Sequence, residues 1–121
     1  MTSAAEALQR FFGGFGLPAY PEGCAPQRAK PPYITYQVLL PDWRETAPFH
    51  ARVWYRSASY AGVNAKCDEI GAAIGEGLSL PTDSGALYIG KGRVFCQHMS
   101  TAGDPDLKCN YLSLTLQALT H

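Results

Sequence analysis

Apolar residues recur along this chain with two periods, one helical and one extended. Leu8, Phe11, Phe12 and Phe15 stand at i, i+3, i+4 and i+7, which places them on one face of a helix. Ser3 ahead of them, with Glu6 three residues on, has the form of a capping box. The pattern predicts a helix over about residues 3–13, weakened by Gly13, Gly14 and Gly16 and ended by Pro18. Residues 17–32 then carry five prolines, which predicts an extended connection rather than a helix.

From Tyr33 to Leu40 the chain is rich in β-branched and aromatic residues, and a strand is predicted there, broken by Pro41-Asp42-Trp43. Phe49 to Ser57 predicts a second strand, with Ala51, Val53 and Tyr55 on one face and Arg52, Trp54 and Arg56 on the other. The short gap between the two predicts an antiparallel pair. Tyr60, Val63, Cys67, Ile70 and Ile74 then repeat at helical spacing, with Ser57 or Ser59 as the cap and Gly77 as the stop. Gly71 and Gly75 share a side of this helix, which points to close backbone approach there.

After the helix, Ser79-Leu80 leads into the turn-rich stretch 81–85. Ala86–Ile89 and Val94–Met99 flank Gly90-Lys91-Gly92-Arg93, and a hairpin is predicted at those four residues. From Asn110 to Leu119, Leu112, Leu114, Leu116 and Ala118 alternate with Ser113, Thr115 and Gln117, the mark of a half-buried strand. The order α-β-β-α-β-β-β predicts an α+β sandwich: one domain over 1–121, with a mainly antiparallel sheet and two helices packed on one face.

Composition narrows the function. A chain of 121 residues with 46% hydrophobic residues can bury a core without metal or disulfide staples. Ten basic and ten acidic groups give a formal charge of zero, which argues against a protein that coats nucleic acid or an acidic membrane. Residues 1–60 hold six basic and four acidic groups, net +2; residues 61–121 hold four and six, net −2. The N-terminus shows no signal-peptide pattern and no apolar run reaches the roughly 20 residues of a membrane span. Cys24, Cys67, Cys96 and Cys109 show no C-x-x-C spacing and are expected to be free thiols.

No catalytic constellation emerges. Cys96 and His98 share a strand face, but no zinc-type spacing completes them, and no metal or cofactor is expected. A Cys-His pair drawn from Cys96 or Cys109 with His50 or His98 has no flanking signature. Arg52, Trp54 and Arg56 carry more information. Arg-Trp-Arg on one strand face fits an assembly hot spot, a single-strand stacking platform, or a layer covered from within the domain. Trp43, Lys91 and Arg93 join them as candidate subunit or partner contacts.

Three segments, in this order and spacing, resemble the tail-terminator and tail-completion (minor tail) proteins of long-tailed, siphovirus-type phages. They are Pro32-Tyr33-Ile34-Thr35-Tyr36-Gln37, Val53-Trp54-Tyr55-Arg56-Ser57 and Ala65-Lys66-Cys67-Asp68-Glu69-Ile70-Gly71. The early Phe15-Gly16-Leu17-Pro18-Ala19-Tyr20 and the late Phe95-Cys96-Gln97-His98-Met99-Ser100 fit as well, so the resemblance spans nearly the whole chain. It implies an α/β sandwich that assembles as a homo-oligomer, usually a hexameric ring, on the head-proximal end of the tail tube. The implied partners are the major tail tube protein and a head-completion or neck protein. DNA would pass through the lumen without specific binding, and no membrane is involved. The implied location is the virion, after assembly in the host cytoplasm. The resemblance carries no catalytic residues. A related neck-completion protein and a small nucleic-acid-binding module are the alternatives.

Overall fold

In the computed structural model, residues 3–42, 45–101 and 103–120 are described. The first helix, α1 (Ala4–Phe12), begins where the capping box predicts. The Glu6 N–H donates to Ser3 Oγ (3.1 Å) and the Ser3 N–H to Glu6 Oε1 (3.3 Å), satisfying two amides that the first turn leaves free. A short 3-10 turn over Gly13–Phe15 follows, closed by Gly16 in the left-handed region. Leu8 and Phe12 are fully buried, and Phe12 stacks on Tyr36 at 4.8 Å. Gln9 ties the helix down: its amide donates to the Ala19 carbonyl (3.0 Å), and its carbonyl accepts from the Tyr36 hydroxyl.

The proline-rich connection contributes a strand of its own, β1 (Ala19–Pro21), which lies parallel to β2 (Tyr33–Tyr36). The observed order is α-β-β-β-α-β-β-β: Ala19–Pro21 and Leu78–Thr82 are strands the apolar pattern does not predict, and the predicted strands Ala86–Ile89 and Val94–Met99 are one. β1 is too short, at three residues, to show a period. β2 is also shorter than predicted and stops at Tyr36, not Leu40. It pairs antiparallel with β3 (Thr46–Arg56), and the last bond runs from the Gln37 N–H to the His50 carbonyl. The next hydrogen-bonded pair along this ladder would need an N–H from Pro48, which has none.

α2 (Ala61–Ile74) buries Val63, Cys67, Ile70 and Ile74 of the predicted stripe, and Gly71 beside them, while Tyr60 is half-buried ahead of the helix. Its cap residue is Tyr60, not a serine, although Ser59 Oγ still accepts the Ala61 N–H (3.4 Å). The helix stops at Gly75, two residues before the predicted Gly77, with φ at 58°. The two glycines thus serve different ends. Gly75 supplies a backbone turn, whereas a Cβ on Gly71 would lie 2.9 Å from Phe95 Cε2.

The predicted hairpin at Gly90–Arg93 does not form. β4 (Leu78–Thr82) turns through Asp83-Ser84 into one long strand, β5 (Gly85–Met99). Both halves of β5 pair with β6 (Leu107–Thr120), and the register shifts between Lys91 and Cys96. β6 alternates without interruption, so it offers partners to both halves and favours a bulge over a reversal. The glycines permit close contact: a Cβ on Gly90 would meet Thr115 Oγ1 at 2.8 Å, and one on Gly92 would meet Ser113 Cβ at 2.9 Å.

The sheet has six strands in the order β1-β2-β3-β6-β5-β4. Only the β1–β2 pair is parallel, so the sheet is mixed within an α+β fold. Both helices join one core with Ile34, Tyr36, Val53, Ile89, Leu112, Leu114 and Leu116. Among the described residues no helix is long and apolar enough to cross a membrane.

The Gly71–Phe95 contact makes a sharp prediction. Alanine at a helical glycine gains about 1 kcal/mol of propensity, but here its methyl must displace a packed ring. Gly71→Ala is expected to lower stability by a net ~1–2 kcal/mol. On a Phe95→Leu background the sign should reverse. Denaturant midpoints of the four chains measure both effects.

Candidate interaction surface

The sheet face away from the helices takes its side chains from the alternate positions of each strand. β3 contributes His50, Arg52, Trp54 and Arg56, and β6 contributes Cys109, Tyr111, Ser113 and Thr115 opposite them. Among the described residues no helix covers this face. The Arg52/Trp54/Arg56 trio therefore lies where the strand period predicts.

Trp54 is held firmly. Its indole N–H donates to Thr35 Oγ1 (3.1 Å), and its ring stacks with Tyr33 at 6.2 Å, which in turn meets Tyr20 edge-on at 6.0 Å. The aromatic row thus runs from β3 across β2 to β1. Beside it, His50 stacks on Tyr111 at 5.1 Å, and the Arg52 guanidinium lies 5.7 Å from the same ring centre. Both arginines of the trio have carboxylate partners: Arg52 donates to Glu22 Oε1 (3.2 Å) and Arg56 to Asp104 Oδ2 (3.0 Å). His50 Nε2 lies 3.1 Å from the same Glu22 oxygen. The hydrogen bond from Arg56 leads the effects that hold the Asp104 carboxyl below the usual carboxylate range.

An open cleft of ≈ 480 Å³ lies on this face, among Gln37, Pro48, His50, Arg93, Tyr111 and Ser113. Gly92 also lines it, so the bulge that replaces the predicted hairpin helps to shape the cleft. The structure places Arg93 with the trio's face, but not Lys91. The Lys91 ammonium sits 5.2 Å from the centre of the Phe95 ring, on the helix side next to Gly71. Trp43 lies outside the described residues. Sequence reasoning did not assign Tyr20, Glu22, Tyr33 or His50 to this face. His50 was within reach, being in phase with Arg52 along β3. Glu22 was not, because nothing local in a proline-rich segment says which strand it will meet.

The charge asymmetry also divides by stretch of sequence. Residues 19–56, which contain β1–β3, hold five basic and three acidic groups, net +2. Residues 78–121, with β4–β6, hold three of each. The deficit of the second half comes from α2 and its exit: Lys66 against Asp68, Glu69 and Glu76, with all three carboxylates exposed.

On the helix face, a small polar cluster interrupts the core. Asn110 is fully buried; its Nδ2 donates to Asn64 Oδ1 (2.9 Å) and to Cys67 Sγ (3.5 Å), and its Oδ1 has no partner among the described residues. His98 Nε2 lies 3.1 Å from the same Asn64 oxygen, and its ring stacks on Tyr60 at 3.6 Å. The two histidines thus turn their Nε2 atoms to Glu22 and Asn64 rather than to a thiol. Among the described residues no three His, Cys, Asp or Glu side chains converge as a metal site would require. Burial drives the thiols the wrong way for nucleophilic work, pushing Cys67 up to about 12 and Cys109 up to about 11.

Comparison of the chain with protein-family models, curated proteins and solved structures gives no match. What the geometry defines is an α+β protein with one sheet face buried under helices and the other presenting an aromatic, arginine-bearing surface.

Two outcomes follow for the thiols. All four are free, and only Cys24 is exposed. Under native conditions at pH 8 a thiol reagent should titrate Cys24 first, with Cys67 and Cys109 reacting only on unfolding. Both buried thiols ionise at higher pH in the folded chain than in the unfolded one, whose ordinary value is 9.0. Their contribution to stability is complete below pH 9 and is lost as pH rises through about 11 and 12. Urea midpoints under reducing conditions should fall between pH 8 and pH 11, and less so in Cys67→Ala.

Proposed function

We propose that this chain is a structural subunit of a phage tail or neck. Copies close into a ring, hexameric in the family it resembles, on the head-proximal end of the tail tube. The ring ends tube polymerisation and offers the surface on which the head is joined. A heterologous contact gives a closed ring when its rotation fits, so one face can copy the tube contact while the other presents something different.

The observation that carries this reading is the sheet face that no helix covers among the described residues. Tyr, Trp and Arg are the residues that concentrate at the energetic centres of protein interfaces. Here Tyr20, Tyr33, Trp54, Tyr111 and Arg52 share one pre-ordered surface, held by stacking and by the Trp54–Thr35 and Arg52–Glu22 bonds. Such side chains lose little further freedom on docking, which removes part of the cost of association. The exposed carboxylates Asp68, Glu69 and Glu76 on and after α2 add a second, acidic surface for polar contacts. The virion is the corresponding location and the tube and neck proteins the corresponding partners. The proposed role is structural, and burial raises the Cys67 and Cys109 thiols away from nucleophilic use.

A nucleic-acid module using the same face is less well supported. Arg52 and Arg56 each face a carboxylate, whose negative charge offsets part of their attraction for phosphate.

Sedimentation and negative-stain microscopy of the purified chain test the proposal. Rings are expected, either alone or on addition of tail-tube subunits. A chain that stays monomeric with and without tube protein would sink it. Retention of single-stranded DNA that weakens steeply with salt and disappears in Trp54→Ala would favour the nucleic-acid reading instead.

A further inference from the structure

Two apolar features lie apart on the chain and match one another. The first is the segment after β2. Val38 and Leu40 are 42% and 64% exposed, while Leu39 between them packs on the core. The segment has the residues of a strand, but Pro48 deprives it of a partner, so its two outward aliphatic side chains stand in water. The second is a groove of ≈ 210 Å³ between α1 and β4, walled by Ala7, Phe11, Leu80 and Pro81, with Arg10 at its side. β2 lies next to one edge of the sheet and β4 forms the other.

We infer that Val38 and Leu40 of one copy seat in the α1–β4 groove of the next copy. This contact rests on the ring reading above and assigns the surfaces that would carry it. Three observations select a second copy as the occupant. The projecting side chains are aliphatic and the groove wall is apolar. Leu40 does not fill the groove of its own chain, since most of its surface is exposed. Charge also matches: Asp42 follows Leu40-Pro41 in the projecting segment, and Arg10 stands beside the groove, so the docked segment brings opposite charges together. Projection and groove are different surfaces, so the contact is heterologous: each copy donates one and accepts one, and the assembly continues until it closes. β4 is short and carries Pro81, which discourages indiscriminate pairing along its free edge and leaves recognition to the groove.

The test uses the full chain in sedimentation velocity, with circular dichroism to verify folding. Leu40→Glu removes the projection and Arg10→Glu spoils the groove; both positions are exposed, so neither should disturb the core. Each alone is expected to weaken association by roughly tenfold or more. An equimolar mixture of the two retains one intact contact per pair and should give dimers and nothing larger. The paired reversal Arg10→Asp with Asp42→Arg should restore growth that either reversal alone impairs. Oligomers left unchanged by Leu40→Glu and Arg10→Glu would overturn this contact and leave the ring reading standing. Dimers that never grow, and a variant mixture that stays monomeric, would indicate two-fold pairing and overturn it too. A wild-type chain monomeric at every concentration and with tube protein present would overturn both.

Discussion

The leucine face of β6 is the constraint on which the remaining structure depends. Leu112, Leu114 and Leu116 are essentially without solvent exposure, and β6 lies between the two longest strands it could pair with. Because side chains alternate along a strand, burying these three fixes the face that every other strand must bury. β3 accepts that choice over eleven residues and buries Phe49, Ala51 and Val53 on the same side. β5 needs the same partner for longer than its own register allows, and it absorbs the mismatch in the bulge after Lys91. Each Leu buried against the helices contributes on the order of 2 kcal/mol, so a one-residue slip would forfeit several at once.

The outer face is the complement of that choice. His50, Arg52, Trp54 and Tyr111 face away from the helices because their neighbours in sequence face toward them. What gives the surface its order is contact across strands: Trp54 with Thr35 and Tyr33, Arg52 with Glu22, Arg56 with Asp104. Exposed ion pairs of this kind add little to stability, typically under about 1 kcal/mol each. Their effect is to hold long side chains in one arrangement.

The core is not wholly apolar. Asn110 occupies a helix-facing position of β6 that the strand alternation would otherwise give to a leucine. Its bonds to Asn64 and Cys67 tie the start of α2 to the sheet. A purely apolar contact would hold α2 without fixing its position along β6. The directed amide bonds tie it to one place.

The sequence alone determined whatever depends on local period and local hydrogen bonding. The capping box of α1, the buried stripe of α2, the two faces of β3 and the alternation of β6 are each set by residues a few positions apart. The α+β class follows from them. Tertiary structure decided what depends on a distant partner. β2 stops at Tyr36 because Pro48, across the ladder, lacks a donor, and β5 runs through its glycines because β6 keeps offering partners. β1 exists because β2 has a free edge, and Glu22 meets Arg52 only once that edge is filled. No short window of sequence holds both members of such pairs, and the chain had to close on itself before either could act on the other.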